Sequence, residues 1–132
     1  GNVLEEKAYD SDNSLQSTTT CAYNKKNLMV ENVAYDADNN IQFKSTYSYD
    51  KNGNMIEQLI YNNDGSIKAK GVYKYNEYDD VVSMQTIVPG EEDVTYIYKY
   101  TYDKNHNWRK KITYYKNKPV LLTEREIDYF VE

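Results

Sequence analysis

Few residues in this chain are equipped for chemistry. One cysteine, Cys21, excludes an internal disulfide and says little about redox compartment. One histidine, His106, excludes a three-histidine zinc site. None of the five glycines builds a phosphate-binding loop. No apolar run approaches the ~20 residues of a spanning helix, so no membrane insertion is expected. Sixteen Lys and Arg face 21 Asp and Glu, a net charge of -5, which argues against a nucleic-acid partner or an anionic membrane surface. Leu, Ile, Val and Phe together number 26 of 132, near the level below which disorder becomes the default. No cofactor and no metal site is predicted.

Against these shortages stand 16 tyrosines in a strict pattern. Tyrosine supplies apolar area while its hydroxyl stays in contact with water. Strand-closing tyrosines fall at 9, 35, 61 and 115, with Val88 in the missing place, in steps of 26, 26, 27 and 27. A second series at 23, 49, 75, 102 and 129 repeats those steps. Two interleaved series with one period predict five two-strand units, 3–28, 29–54, 55–80, 81–107 and 108–132, in a single domain spanning 1–132. The stretch Thr46 to Tyr75 is the clearest copy.

Turns rich in Asp, Asn and Gly punctuate the units, as at Asp10–Ser14, Asp36–Asn40, Asp50–Asn54, Asn62–Ser66 and Asp103–Asn107. These residues tolerate left-handed dihedrals and bond their own backbone. Loops this short join antiparallel neighbours. Between them the chain alternates: Val94, Tyr96, Tyr98, Tyr100 and Tyr102 share one face, opposite Thr95, Ile97, Lys99 and Thr101. The fold class is therefore all-β, an antiparallel meander of about ten strands without a helix of note. Ten strands are too many for a flat exposed sheet. Glu124, Glu126 and Asp128 on the last strand guard an edge, which favours an open, curled sheet, with barrel-like closure or two layers as the alternatives. A four-residue last loop, 116–119, would pair Tyr115 with Val120, Lys111 with Glu124, Arg109 with Glu126 and Trp108 with Ile127.

The run Tyr-Asp-Lys-Asn-Gly-Asn at 49–54 and its copy at 102–107 resemble the tyrosine–aspartate repeats of the Rhs and teneurin family. Tyr35-Asp36 keeps the dipeptide too. That resemblance implies a curled β-sheet acting as a shell or surface scaffold. The chain departs from the family's usual Gly-Arg, which appears as Gly53-Asn54 and His106-Asn107, and five units are few for a shell. Residues 102–108 and 123–127 look similar to small exported Bacteroidetes-type proteins of unknown function. This second resemblance implies export to the periplasm, outer-membrane surface or medium. No leader opens the chain; Gly1 looks like a cloning remnant, so a leader or lipid anchor could have preceded Asn2.

The candidate ligand-binding residues are Tyr47, Tyr73, Tyr98 and Tyr100 with Trp108, a platform on which sugar rings could stack. Their simplest role is core packing of a curled sheet. Glu31 and Glu57, with Glu5, recur at one place in the first three units and could bind cations or sugar hydroxyls beside the aromatics. As a solvated repeat position they need no function. Catalytic residues are not assigned, because equivalent carboxylates on alternate strands stand ~9–10 Å apart, at or beyond the far end of glycosidase spacing. The Asp-rich turns resemble the opening of a calcium loop but lack its helices and twelfth-position Glu. Cys21 holds a tyrosine place in the row and reads as a small hydrophobe. The expected function is a non-enzymatic exported binding module for a glycan or envelope polymer. The alternative is a structural or protein-interaction domain whose tyrosines are core; a carboxylate hydrolase is the least supported.

Overall fold

The computed structural model describes residues 1–130. Ten strands follow one another: β1 (Val3–Tyr9), β2 (Leu15–Tyr23), β3 (Met29–Asp36), β4 (Ile41–Tyr49), β5 (Met55–Tyr61), β6 (Ile67–Tyr75), β7 (Val81–Ile87), β8 (Val94–Tyr102), β9 (Trp108–Tyr115) and β10 (Lys118–Glu124). They pair antiparallel in chain order within one sheet. Each strand contacts only its sequence neighbours, so the sheet is a single open layer and β1 does not meet β10. No helix among the described residues is long and apolar enough to cross a membrane, which says nothing about strands.

The turns explain the regularity. In six of them the first residue is Asp or Asn, and its Oδ1 accepts the backbone N–H groups two and four residues on. Asp10, Asn24, Asp36, Asp50, Asn76 and Asp103 all do this at 2.8–3.1 Å. The fourth residue takes a positive φ: Asn13, Asn27, Asn39, Gly53, Asp79 and His106. A bulge follows at most strand ends, where a tyrosine slips one place in register, as Tyr49 does to Met55. At Asn62 the role passes to Asp64, which accepts from Ser66. Between β7 and β8, Pro89 and Gly90 (φ 87) make the reversal, with Glu91 N–H donating to the Val88 carbonyl.

The last hairpin differs from the sequence expectation. Its loop holds two residues, Lys116 and Asn117, both at positive φ, so Tyr115 pairs with Lys118 rather than Val120. A bulge at Pro119–Leu121 then brings Glu124 opposite Lys110, at 3.3 Å, and not Lys111. The expected pairs Arg109–Glu126 and Trp108–Ile127 do not form in a ladder, because β10 ends at Glu124. Of the acidic row, only Glu124 lies in the strand; Val131 and Glu132 of the fifth unit lie outside the described residues.

A single layer has little interior. Val33, 3 % exposed, is the one buried hydrophobic residue described, joined by Ser45 at 0 % and Thr113 at 7 %. The rest of the packing is side chain against side chain along each face. The chain exposes 9585 Å². A compact monomer of this mass exposes roughly 7,250 Å².

Candidate functional site

Register and alternation sort the candidate residues onto two faces. Ser45 pairs with Ile60, Tyr47 with Gln58, Tyr73 with Met84, Tyr98 with Thr113 and Tyr100 with Lys111, so the four candidate tyrosines share one face. Glu31 pairs with Thr46 and Glu57 with Ser48, on the other face. Carboxylates and aromatics therefore cannot act on one ligand, contrary to the picture of acids beside the tyrosines. The acids hold lysines instead: Glu31 reaches Lys44 at 3.0 Å and Glu57 reaches Lys70 at 2.5 Å. These pairs are partly exposed and contribute at most about 1 kcal/mol each.

Tyrosine geometry follows from the residue two places earlier. Ser45 lies fully buried and donates its hydroxyl to Tyr47 at 2.7 Å. Gly71 lies beneath the ring of Tyr73, whose hydroxyl would stand 3.2 Å from an added Cβ. In the fourth unit that small residue is replaced by Tyr98, leaving no room for Tyr100 to fold down. Tyr100 reaches sideways and donates to the Val81 carbonyl at 2.8 Å. In the earlier units that role belongs to the next tyrosine along: Tyr49 donates to Met29 and Tyr75 to Met55, both at 2.7 Å. Tyr102, displaced from it, donates to Asp80 Oδ2 at 2.8 Å and accepts from Asn76 at 2.6 Å. Burial, then the Asp80 hydrogen bond, pushes its hydroxyl up to about 12. Burial likewise raises Tyr49, Tyr75, Tyr98 and Tyr100.

Trp108 lies 6.1 Å from Tyr100, ring centre to ring centre. Its face is occupied: the Arg125 guanidinium stands 3.9 Å from the ring centre and Lys111 Nζ 5.7 Å. Lys111 also lies 5.6 Å over Tyr98. The sequence reading missed both cations. Parity places Lys111 on the tyrosine face and could have revealed it; Arg125 lies beyond β10, where no periodicity applies. His106 stacks on Tyr78, centroids 5.1 Å apart, and is not paired with Cys21, which lies 3.7 Å from Asn32 Oδ1.

In β4 through β8 the tyrosine face carries no charged side chain, whereas the opposite face of the same strands holds Lys44, Glu57, Lys68, Lys70, Lys74 and Lys99. A cleft of about 600 Å³ lies at the rim by the turn at Asp64, lined by Phe43, Ile60 and Ala69 of the tyrosine face and by Lys68 of the other. Among the described residues no three His, Cys, Asp or Glu side chains gather as a metal site. The turn acids that resemble a calcium loop spend Oδ1 on their own backbone.

No protein-family model matches the chain. No curated protein matches it either. Solved structures do: a TcdB2-TccC3-Cdc42 complex, a TcdB2-TccC3-TEV structure and a Photorhabdus luminescens Tc holotoxin pore each contain a chain with the same fold, at TM-score 0.55 and 15% identity. Each match covers 89% of this chain and 7% of the other, so this ten-stranded layer is similar in fold to one short stretch of much longer toxin chains.

Proposed function

We propose that this chain is a non-catalytic scaffold and protein-interaction module of the tyrosine–aspartate repeat type, working in the cell envelope or outside the cell. One observation carries the reading. Two of the four candidate tyrosines already spend their hydroxyls on the sheet, Tyr47 on Ser45 and Tyr100 on Val81, as do their neighbours Tyr49 on Met29, Tyr75 on Met55 and Tyr102 on Asp80. Arg125 covers Trp108 as well. Tyrosine here substitutes for aliphatic core in a layer with no interior. The repeat signature and the fold shared with segments of long toxin chains support a scaffold role. Solvent-perturbation absorbance tests it: most tyrosines should be shielded, and full accessibility of the row would overturn the reading.

Glycan binding is the second reading, favoured by Tyr73, a half-buried ring packed on Gly71. A polysaccharide panel read by Trp108 and tyrosine fluorescence decides it. A saturable signal abolished by Tyr73→Ala establishes glycan binding; silence where a control lectin responds removes it.

A further inference from the structure

A sheet with one apolar face needs a second layer to cover it. Among the described residues none exists: ten strands form one layer and no helix packs on it. We infer that the uncharged tyrosine face of β4–β8 is the contact surface of a face-to-face dimer, in which a second copy of this chain supplies the missing layer. The inference rests on the interaction-module reading and names its partner.

Four observations converge on that occupant. The first is charge. Facing β-sheets bring each side chain against its counterpart from the other layer, and like charges there cost several kcal/mol. The tyrosine face of β4–β8 has none to oppose, while the reverse face carries five lysines and Glu57. The four ion pairs formed between strand residues, Lys7–Glu5, Lys44–Glu31, Lys70–Glu57 and Lys110–Glu124, all lie on that reverse face. Composition is the second: depletion of charge with enrichment of Tyr, Phe and Met marks interface cores, and this face offers Phe43, Tyr47, Ile56, Ile60, Tyr73 and Met84.

Hydrogen bonding is the third. Covering a face of free hydroxyls would strand polar groups. Here Tyr47, Tyr49, Tyr75 and Tyr100 already have partners within their own sheet, so the face can lose water without orphaning those four, while Tyr73, Tyr96 and Tyr98 would take theirs from the second copy.

Area is the fourth. The chain exposes 9585 Å², roughly 2,300 Å² beyond a compact monomer of its mass. The five strands β4–β8 have a face of about 600 Å². Two copies in contact would then bury about 1,200 Å² in total, at the lower end of the standard size for a stable interface. A copy also brings a sheet of identical twist, which aligned sheet packing requires.

The test combines mass with thickness. Sedimentation velocity from low micromolar to submillimolar protein should give a dimer, and small-angle scattering should give a cross-section of two layers about 10 Å apart. Phe43→Lys and Ile56→Lys place charges on two exposed positions of the face and should raise the dissociation constant at least ~30-fold. Lys74→Glu on the reverse face should leave it unchanged. A wild-type monomer at every concentration overturns the inference. So does a dimer one layer thick, which would be joined by its edges. If the lysine variants fail to fold, wild-type scattering decides alone. A monomer with shielded tyrosines would defeat the dimer and leave the interaction module standing; a monomer that binds a glycan saturably would defeat both.

Discussion

The two rims of the sheet use one turn formula and put it to different ends. Turns after the even strands are laced to one another. Lys26 Nζ donates to the Lys51 carbonyl at 2.8 Å, and Asn52 and Asn54 both donate to Asp79 at 3.2 and 2.6 Å. Asn76 and Asp80 hold Tyr102, Tyr78 stacks on His106, and Asp103 and Asn107 hold Tyr129. Turns after the odd strands keep to themselves. Asp10 and Asp36 give their second oxygen to Gln16 and Gln42 in their own hairpins, at 2.9 and 2.8 Å. Between those turns the described residues show one link, Lys116 with Glu92 at 3.0 Å. Six residues past the Asx residue, a glutamine in the first two of these hairpins takes up the spare carboxylate oxygen; on the laced rim the same place holds Val30, Ile56, Val82 or Arg109, and Asp103 gives its second oxygen to Tyr129 instead. Cooperativity between units should therefore run along one rim.

The strongest way to break that asymmetry is to remove Tyr102. Tyr102→Ala deletes a half-buried ring in contact with Tyr78 and Tyr100 together with two hydrogen bonds. The expected loss is about 3 kcal/mol. Tyr9→Ala on the other rim, 54 % exposed at the sheet edge, should cost under ~1 kcal/mol. Urea denaturation of both variants measures this, and equal losses would show that lacing carries no stability. A finer cut uses matched acids. Asp103→Ala removes the acceptor for Asn105 and Asn107 N–H and also the dock of Tyr129. About 2 kcal/mol is expected, against about 1 for Asp36→Ala, whose bonds are all local.

Local rules made most of this fold legible in the amino-acid order alone. Period-two alternation placed the strands, and Asx chemistry placed the turns, because both act within a few residues. The last hairpin was not legible, since Lys116-Asn117 lacks the glycine that normally marks a two-residue loop, and the bulge beside Pro119 leaves no trace in composition. Nor was the separation of Glu31 and Glu57 from the tyrosines. Parity within a strand was clear, but the face shared by two strands depends on the register across each turn. The lacing was invisible too: Asn54 and Asp79 meet across 25 residues only because the period stacks one turn beside the next.

Titration separates the rims as well. Asp36, Asp50, Asp64 and Asp103 all lie below the usual carboxylate range. For Asp36 the leading cause is the Asn40 N–H, for Asp64 the Ser66 hydroxyl, and for Asp103 the Tyr129 hydroxyl; at Asp50 burial pushes upward but is outweighed by bonds from Asn54. A lowered carboxylate contributes stability that is full above its unfolded value near 3.9 and fades as pH falls through the folded value. Both rims should weaken together in acid. In alkali the laced rim answers through Tyr102, and the other rim through exposed Lys116, raised by Glu92. Tyr102, near 10 unfolded and about 12 folded, contributes fully below pH ~10 and loses its contribution as pH rises towards 12. Urea midpoints at about pH 9 and 11 should fall more in the wild type than in Tyr102→Phe; parallel falls would place the alkaline sensitivity elsewhere.

The smallest expected effects carry opposite signs, which makes them the sharpest contrast. Asn39 and Asp79 hold the same left-handed turn position, at φ 66 and 60. Glycine adopts that conformation without a steric penalty, though it gives up chain entropy on folding. Asn39 has no neighbour to hold, so Asn39→Gly should be neutral or stabilise by up to ~0.5 kcal/mol. Asp79→Gly gains the same relief but removes the acceptor shared by Asn52 and Asn54, and should destabilise by about 1 kcal/mol. Thermal melts of the pair measure the difference directly. If both shift upward, Asp79 is only a turn residue, and the contact between the second and third laced turns has no energetic standing.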